Sequence, residues 1–369
     1  MCLYMKGVRK VSNRRLDYVK ESVVRKILSD NDWLLMLGER SNGKSYSVKN
    51  LILKDCYKDD KEFIYLRRYD IDVKDSQCVL YFGDCPVEAI TDGEYSCIDV
   101  YRKSIYFANI DQDTGKIIRG KKIGYCQALS ASEHYKSFAF PKVEYILFEE
   151  YIAQDGRYLY QEPNKLQNHC STVFRHRKGH VIMIGNTLSR VVPYYREWQL
   201  HRTARQKLGT VDQYIFHNDN GDDTRLAVYL TDSLNFNSGM FFGTSSKSIT
   251  QGCYEVQEHP HLPKNITKYD IIYTCVIEYN EFKFLCQLMQ DKDQKDNITW
   301  YVQPKTSDIK ERTRVISNQF STDPWYTSTL RQALSDNENR VFSLFRHGKV
   351  CFSDNLTGTE FNTILQYVS

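Results

Sequence analysis

Short apolar runs and helical segments alternate through the first half of the chain. The apolar runs have strand length and end in polar residues, as expected for parallel strands buried on both faces. The first predicted helix has apolar residues three and four positions apart. The predicted strands are 33–37, 62–66, 143–148 and 181–184, and the predicted helices are 14–28, 45–53 and 162–175. This alternation predicts an α/β domain with a mostly parallel sheet and helices on both faces.

The pattern changes between residues 78 and 127. Apolar and polar residues alternate around 79–81, 95–100, 105–108 and 123–128, with turn-forming residues at 91–93 and 111–115. Alternation with a period of two is typical of strands with one exposed face. We therefore expect antiparallel hairpins that are inserted into the parallel sheet or lie beside it.

The alternation of strands and helices fades after residue 199. Polar stretches at 217–223 and 235–239 predict a linker over 200–250. The first domain would then cover 1–199, and a smaller second domain would cover 251–369. The second domain has predicted strands at 271–277, 283–289 and 300–303, and predicted helices at 327–337 and from 359.

The composition fits a globular protein with two domains. The chain has 369 residues, of which 41% are hydrophobic and 26% are charged. A net charge of +4 excludes a bulk polybasic protein, so nucleic-acid contacts must come from local patches. The 11 cysteines show no C-x-x-C pair or zinc spacing, and no apolar run is long enough for a signal peptide or a membrane span. We expect an intracellular protein with reduced thiols and no membrane partner.

The segment 38–45 fits the pattern G-x-x-x-x-G-K-[ST]. Gly38 and Gly43 allow backbone N–H groups to curl around phosphate oxygens, while Lys44 can reach the β- and γ-phosphates and Ser45 can bind Mg²⁺. A predicted strand precedes this loop, and a predicted helix with its positive N-terminal end follows it. The alternative is a surface loop between a strand and a helix. The expected ligands are ATP and Mg²⁺, and the other residues of this site are Arg40, Ser41, Asn42 and Tyr46.

Two carboxylates, Glu149 and Glu150, follow the apolar run 143–148. Nucleotide hydrolysis needs one acid to hold Mg²⁺ and a second to orient or deprotonate the attacking water. The alternative is that both acids only end the strand in solvent. Asn186 follows another apolar run, where a γ-phosphate sensor would lie, although a plain turn fits this spacing equally well. A GTPase is disfavoured, because the segment 164–167 lacks the aspartate that reads guanine.

Several stretches in a consistent order and spacing resemble one family. They are 38–46, 63–69, 146–152, 172–177 and 184–187, the last followed by 191–195. The chain resembles the DNA-packaging (encapsidation) ATPases of phi29-like podophages, which are similar to large terminase subunits. The likeness is good over 33–198 and weak beyond the expected linker. It implies a RecA-like phosphate-loop fold of the additional-strand, catalytic-glutamate class, followed by a ribonuclease-H-like α+β domain.

The resemblance also implies roles for individual residues. Lys44 and Ser45 would bind phosphate and Mg²⁺, and Arg40 would be the arginine of the phosphate loop. Glu149 would lie on the Mg²⁺ side, and Glu150 would be the catalytic base. Arg175 would be a finger that reaches the nucleotide of the neighbouring subunit, with Arg177 as the second choice, and Asn186 would belong to a sensor motif. The family has aspartate where this chain has Glu149.

As a member of such a family, the chain would form a ring, expected to be a pentamer, on the viral portal. ATP hydrolysis would drive double-stranded DNA through the ring into the procapsid, with a packaging RNA as a partner in some members. The protein would act in the host cytoplasm and on the procapsid, and would be absent from the mature virion. In the second domain only Glu278 and Asp354 lie at positions suited to a nuclease, so we expect an inactive, vestigial domain.

Three alternatives remain at this point. The first is a terminase-like ATPase with a live nuclease, the second is another nucleic-acid ring ATPase such as a helicase, and the third is a nucleotide switch. Paired acids and a candidate finger favour turnover over a switch.

Candidate DNA-contacting loops are 119–122 and 102–103, although each is more often a solvated turn.

Overall fold

The computed structural model describes most of the chain in fourteen segments. They are 18–38, 42–153, 157–175, 177–186, 192–200, 202–203, 206–217, 222–231, 258–279, 282–308, 312–317, 321–328, 343–345 and 347–368. Arg40, Ser41 and residue 187 therefore lie outside the described residues, as do the start of the helix predicted at 14–28, the polar stretch 235–239 and most of the helix predicted at 327–337.

Nine strands of the described residues form one sheet in the order β3-β4-β5-β2-β6-β7-β1-β9-β8. The central strands β5, β2, β6, β7, β1 and β9 run parallel to one another, whereas β3, β4 and β8 are antiparallel to their neighbours. The strands are β1 (Trp33–Gly38), β2 (Glu62–Arg67), β3 (Cys97–Tyr101), β4 (Ser104–Ile110), β5 (Ile117–Ala128), β6 (Val143–Glu149), β7 (His180–Asn186), β8 (Thr210–His217) and β9 (Asp223–Leu230).

Helices cover both faces of this sheet. They are α1 (Glu21–Asp30), α2 (Lys44–Lys58), α3 (Asp75–Phe82), α4 (Val87–Ile90), α5 (Glu162–Phe174) and α6 (Pro193–Glu197). In β1, Leu34 and Met36 pack with α1 to α4, while Leu35 and Leu37 pack with α5 and α6. Successive side chains of a strand point to opposite faces, so an uninterrupted apolar run is what a doubly covered strand requires. The predicted α/β fold is confirmed.

The hairpins between the second and third parallel strands extend the sheet at one edge. β3 and β4 pair antiparallel, and β5 turns back to lie parallel to β2. The predicted strand at 79–81 is wrong, because these residues belong to α3. In α3, Cys78 and Phe82 are buried and lie four residues apart, which is a helical repeat that a three-residue window cannot distinguish from alternation.

The predicted linker over 200–250 is wrong where the structure describes it. β8 and β9 belong to the first sheet, and β9 pairs with β1 from Trp33↔Leu226 to Leu37↔Leu230. Of the polar stretch 217–223, His217 ends β8 and Asp223 begins β9, and the two residues are paired. The first domain therefore extends at least to Thr231, whose backbone N–H donates to the Leu37 carbonyl at 2.8 Å.

A second, six-stranded sheet has the order β14-β13-β10-β11-β12-β15 in the described residues. The three strands that come first in the chain, β10, β11 and β12, form an antiparallel meander. The other three, β13, β14 and β15, each pair parallel to a neighbour. The strands are β10 (Tyr269–Tyr279), β11 (Phe282–Asp291), β12 (Ile298–Pro304), β13 (Arg314–Ser317), β14 (Tyr326–Ser328) and β15 (Val350–Phe352), and the helix α7 (Asn355–Val368) follows. The helix predicted from residue 327 is wrong at its start, because 326–328 is a strand.

The mixed sheet and the terminal helix agree with the α+β domain that the resemblance implies. Trp300 and Phe361 are fully buried in the core of this domain, next to Phe284 and Phe352. Among the described residues, no helix is long and apolar enough to cross a membrane. The cysteines within the described segments are all free thiols.

Candidate active site

The phosphate loop begins where β1 ends at the carboxyl edge of the sheet. Gly38 has φ of +155°, and a Cβ atom there would lie 1.9 Å from the Thr231 Oγ1 atom. Gly43 has φ of +85° and directly precedes α2, so the turn into the helix uses the left-handed conformation that glycine adopts without strain. Both glycines are therefore required by this backbone, one for close approach and one for its turn.

Lys44 is the first residue of α2, and only 4% of its surface is exposed. Its Nζ atom donates to the Gly38 carbonyl at 3.1 Å and to Asn42 Oδ1 at 3.0 Å. The Asn42 Nδ2 atom in turn donates to Thr231 Oγ1 at 2.6 Å, and that hydroxyl donates to the Leu37 carbonyl at 2.9 Å. A buried ammonium group held by acceptors at the N-terminus of a helix suits an anionic ligand.

Glu149 is the last residue of β6 and is 7% exposed. Its Oε1 atom accepts a hydrogen bond from the Tyr81 hydroxyl at 2.5 Å. Burial raises the pKa of Glu149, and hydrogen bonds from Tyr81 and Ser45 act in the opposite direction. The Ser45 hydroxyl and the Glu149 carboxylate offer hard oxygen ligands of the kind that Mg²⁺ takes, so the residues present fit this ion.

Glu150 is in the left-handed conformation, with φ of +56°. This backbone is uncommon for a residue other than glycine and is typical of functional positions. Its side chain is 55% exposed, and its Oε2 atom accepts from Arg67 Nη2 at 2.6 Å. Two neighbouring glutamates thus have different surroundings, since Glu149 is buried against a neutral hydroxyl and Glu150 is open and paired with a cation.

The turn that carries Glu150 is held by Arg68. The Arg68 guanidinium donates to the Glu150 carbonyl at 3.2 Å and to the Tyr151 carbonyl at 2.6 Å. It also forms two bonds with the Glu162 carboxylate, at 2.8 and 3.0 Å. Tyr194 donates to the same carboxylate at 2.7 Å. A buried ion pair therefore connects β2, the turn after β6, α5 and α6.

A pocket of about 950 Å³ lies at the carboxyl edge, and Lys44, Arg67 and Tyr81 line it together with the two glutamates. Asn186 lines it at the end of β7, opposite Gly38 in the register of the two strands. Tyr46 and Tyr18 stand beside the loop with 43% and 50% of their surfaces exposed. The predicted site residues that line the pocket are Asn42, Gly43, Lys44, Ser45, Tyr46, Glu149, Glu150 and Asn186.

Arg175 does not join this group. It follows α5 and precedes β7, so it lies at the amino edge of the sheet, whereas the phosphate loop lies at the carboxyl edge. The length of β7 separates the two edges by about 20 Å. The Arg175 side chain is exposed, and its Nη2 atom donates to the Phe138 carbonyl at 3.2 Å.

Arg177 has a different environment. Its guanidinium donates to the carbonyls of Val143, Phe140 and Val173 at 2.9, 2.6 and 3.1 Å. Three carbonyl acceptors from two parts of the chain indicate a residue that holds the end of α5 to the start of β6. Both arginines are exposed, but the Arg175 guanidinium contacts one carbonyl and that of Arg177 contacts three, so Arg175 is the better candidate finger.

The candidate DNA-contacting loops have internal partners. Arg119 pairs with Asp99 at 2.5 Å, and Lys122 pairs with Glu62 at 3.2 Å. The backbone N–H groups of Arg102 and Lys103 donate to the Asp75 carboxylate at 2.8 and 3.1 Å. The expectation of a loop at 119–122 is wrong, because these residues belong to β5, whereas 102–103 is the turn between β3 and β4. The contacts favour a structural role for both segments.

The two acids considered for a nuclease also have structural partners. Glu278 pairs with Lys283 at 2.9 Å across the β10–β11 hairpin. Asp354 accepts from the Thr357 backbone N–H at 2.8 Å at the start of α7. Within the described residues, no group of three or more His, Cys, Asp or Glu side chains could hold a metal ion.

Sequence reasoning missed four residues of the site. Arg67 and Arg68 lie in a stretch that carried the resemblance, but no role followed from it. Tyr81 lies on α3 and Thr231 follows β9, both far from the loop in sequence. One pattern in the sequence could have indicated Arg67 and Arg68 as site residues. They follow the carboxyl end of a predicted strand, and ligands bind at that edge of open α/β sheets.

Comparison with known proteins gives a consistent picture. A family described as Podovirus DNA encapsidation protein (Gp16) matches residues 21–217. The chain is 32% identical over 168 residues to a DNA packaging protein of Bacillus phage B103. This alignment covers 43% of the chain and 46% of that protein. It is also 29% identical over 206 residues to a DNA packaging protein of Bacillus phage phi29, in an alignment that covers 55% of the chain and 53% of that protein. The matches thus span about half the length of these curated relatives.

A solved structure of the bacteriophage Phi-29 viral genome packaging motor assembly contains a chain with a similar fold. The TM-score is 0.56 at 20% identity, and the match covers 96% of this chain and 100% of that chain. At this identity the likeness concerns the fold alone.

Proposed function

Because the chain belongs to the podovirus DNA encapsidation protein family, we propose that it is an ATP-hydrolysing motor that drives double-stranded viral DNA into the procapsid. One observation carries the proposal. Lys44, Ser45, Glu149 and Glu150 line a single pocket at the carboxyl edge of a parallel sheet. A buried cation, a hydroxyl and two differently placed carboxylates are the parts that phosphoryl transfer to water requires.

In this proposal each residue has a separate task. The loop N–H groups and Lys44 bind the β- and γ-phosphates of ATP. Ser45 and Glu149 hold Mg²⁺, which neutralises charge on the phosphate oxygens when bound. Glu150 orients the attacking water and accepts its proton, and its partner Arg67 fixes the carboxylate beside the pocket. Asn186 lies where it can contact the γ-phosphate from the neighbouring strand.

The position of Arg175 supports assembly into a ring. A residue at the amino edge of the sheet is about 20 Å from its own phosphate loop, too far for a side chain to span. We propose that Arg175 reaches the nucleotide of the adjacent subunit, in a closed ring of identical chains that is expected to be a pentamer. Hydrolysis in one subunit would then depend on the position of the next. An arginine finger contributes roughly 10³–10⁵ in rate.

The partners in this proposal are double-stranded DNA, the portal of the procapsid and, in some family members, a packaging RNA. A motor that moves any sequence should contact phosphates rather than bases. The protein would work in the host cytoplasm, transiently on the portal, and leave before the virion matures. The paired Glu278 and the capping role of Asp354 support a second domain that does not cleave DNA. We propose that this domain binds partners instead.

ATP hydrolysis with and without long double-stranded DNA tests the proposal. We expect DNA-stimulated turnover that falls at least about 100-fold in Glu150→Gln, because the general base is lost. The matched control is Glu144→Gln, the same change at the opposite end of β6, where the carboxylate lies 3.8 Å from Lys61. If Glu150→Gln keeps its turnover, or if DNA has no effect on the wild type, the proposed motor is wrong.

A further inference from the structure

We propose that Tyr81 is a positioning residue for Glu149 and sets the affinity of the pocket for Mg²⁺. The inference rests on the proposed function, because it assigns a task to a side chain of the same site. Its basis is the hydrogen bond of 2.5 Å from the Tyr81 hydroxyl to Glu149 Oε1. Tyr81 lies outside the phosphate loop and the paired acids, on a helix that the sequence pattern did not predict.

The ring of Tyr81 is fixed from several sides. It stacks on Tyr65 with ring centroids 4.4 Å apart and an angle of 25° between the planes. Phe82 packs edge-on at 4.9 Å, and the Lys49 Nζ atom lies 4.5 Å from the ring centroid. Stacked aromatic rings and a cation over a ring face are favourable arrangements. The hydroxyl therefore has little freedom of its own and can impose its position on Glu149.

The helix that carries Tyr81 is tied to the helix of the phosphate loop. Lys49 on α2 donates to the Tyr81 carbonyl at 2.8 Å and pairs with Asp84 just after α3. Because α2 begins at Lys44, the phosphate loop and the Tyr81 hydroxyl are connected through one buried lysine. Lys49 therefore fixes the position of α3 relative to the phosphate loop.

A glutamate at the metal side needs such a partner. Compared with aspartate, Glu149 has one more rotatable bond, so its carboxylate can adopt more orientations. The Tyr81 hydroxyl occupies Oε1, while Ser45 also bonds to this carboxylate. Partners that orient a metal-binding carboxylate typically change metal affinity by about 10–100-fold when they are removed. Tyr81 thus explains how this chain can use glutamate at this position.

The test measures equilibrium binding of a fluorescent, non-hydrolysable ATP analogue in a titration of Mg²⁺, with the full-length chain. Tyr81→Phe keeps the stacked ring and removes only the hydroxyl. We expect the Mg²⁺ concentration for half-maximal enhancement of binding to rise about tenfold, with analogue affinity in EDTA unchanged. Tyr57→Phe is the matched control, because it removes a tyrosine–glutamate hydrogen bond, that of Glu94 at 2.9 Å, away from the pocket.

Two outcomes would overturn the inference. One is an unchanged Mg²⁺ titration in Tyr81→Phe. The other is an equal loss of affinity with Mg²⁺ and in EDTA, which would show a structural role only. Glu149→Asp and Tyr81→Phe/Glu149→Asp complete a double-mutant cycle, since the shorter side chain withdraws the carboxylate from Tyr81. Removing the hydroxyl should leave the Mg²⁺ titration of Glu149→Asp unchanged. The same tenfold shift in both backgrounds would also refute the inference. Absence of any Mg²⁺ effect in the wild type would instead refute the proposed function.

Discussion

Removing the Arg68 side chain should destabilise the first domain more than other single changes of a charged residue in it. The Arg68 and Glu162 side chains are 8% and 0% exposed and are joined by two hydrogen bonds. Breaking a buried ion pair leaves one charge without its partner and costs about 3–5 kcal/mol. We therefore expect Arg68→Met to lower the free energy of unfolding by about this amount, since the Glu162 carboxylate stays buried.

A double-mutant cycle separates the charge from the other contacts. In Arg68→Met/Glu162→Gln the buried site is neutral. The glutamine oxygen can take the place of Glu162 Oε2, which accepts from the Leu159 N–H group at 2.8 Å in the wild type. The glutamine NH2 group then replaces Oε1 and can donate to the Tyr194 hydroxyl oxygen, which is the donor of this contact in the wild type. The double variant should therefore regain at least half of the lost stability. Its ATP turnover should stay low, because the Glu150 and Tyr151 carbonyls have lost their donor.

The measurement is urea denaturation followed by tryptophan fluorescence, together with ATP turnover of the four proteins in the cycle. The control is Lys142→Met, since Lys142 and its partner Asp60 are both exposed and lie 2.7 Å apart. An exposed pair of this kind contributes little to stability. If Arg68→Met costs no more than Lys142→Met, or if the double variant loses the sum of the single losses, the buried pair does not hold the turn that carries Glu150.

Three further predictions concern the same domain. Burial lowers the pKa of His169 to about 4, so below pH 6.5 the unfolded chain binds a proton at this side chain that the folded chain does not bind. Between pH 7 and pH 5 the free energy of unfolding should therefore fall by about 2 kcal/mol more in the wild type than in His169→Leu, as urea denaturation at both pH values would show. Arg177→Ala should lower the melting temperature by several degrees, because three carbonyls lose their donor, whereas Arg175→Ala should leave it within about one degree and abolish DNA-stimulated turnover. Gly38→Ala should abolish binding of the ATP analogue, because the added Cβ would overlap Thr231, and an unchanged affinity would contradict the loop geometry.

The parts of the fold that depend on neighbouring residues could be predicted from the sequence. The run Trp33–Gly38, the glycine loop and the helix after it are adjacent in the chain, so each residue's environment follows from its neighbours. The same holds for Glu149 at the end of its strand. Long-range pairing was not predictable. Residues 226–230 carry an apolar run, but only the sheet shows that they pair with β1 and place Thr231 against Gly38.

The residues of the candidate site fall into the same two groups, those that follow from local sequence and those that depend on distant parts of the chain. Lys44, Ser45 and the two glutamates follow from spacing and residue type, because phosphate and Mg²⁺ binding need those groups in that order. Tyr81 reaches Glu149 from a helix 68 positions earlier in the chain. No local pattern marks a tyrosine as the partner of a distant carboxylate, since most tyrosines in such a helix only pack in the core.

Complementation between two inactive variants tests the central claim most directly. Glu150→Gln lacks the base but keeps Arg175, and Arg175→Ala lacks the finger but keeps Glu150. The two would be mixed with long double-stranded DNA and procapsids, and ATP turnover would be compared with that of each variant alone. A finger that acts on the neighbouring subunit predicts turnover above the sum of the two, because some sites in a mixed ring contain both an intact base and a neighbour's arginine. Turnover that never exceeds the sum would contradict a motor in which each subunit completes the active site of the next.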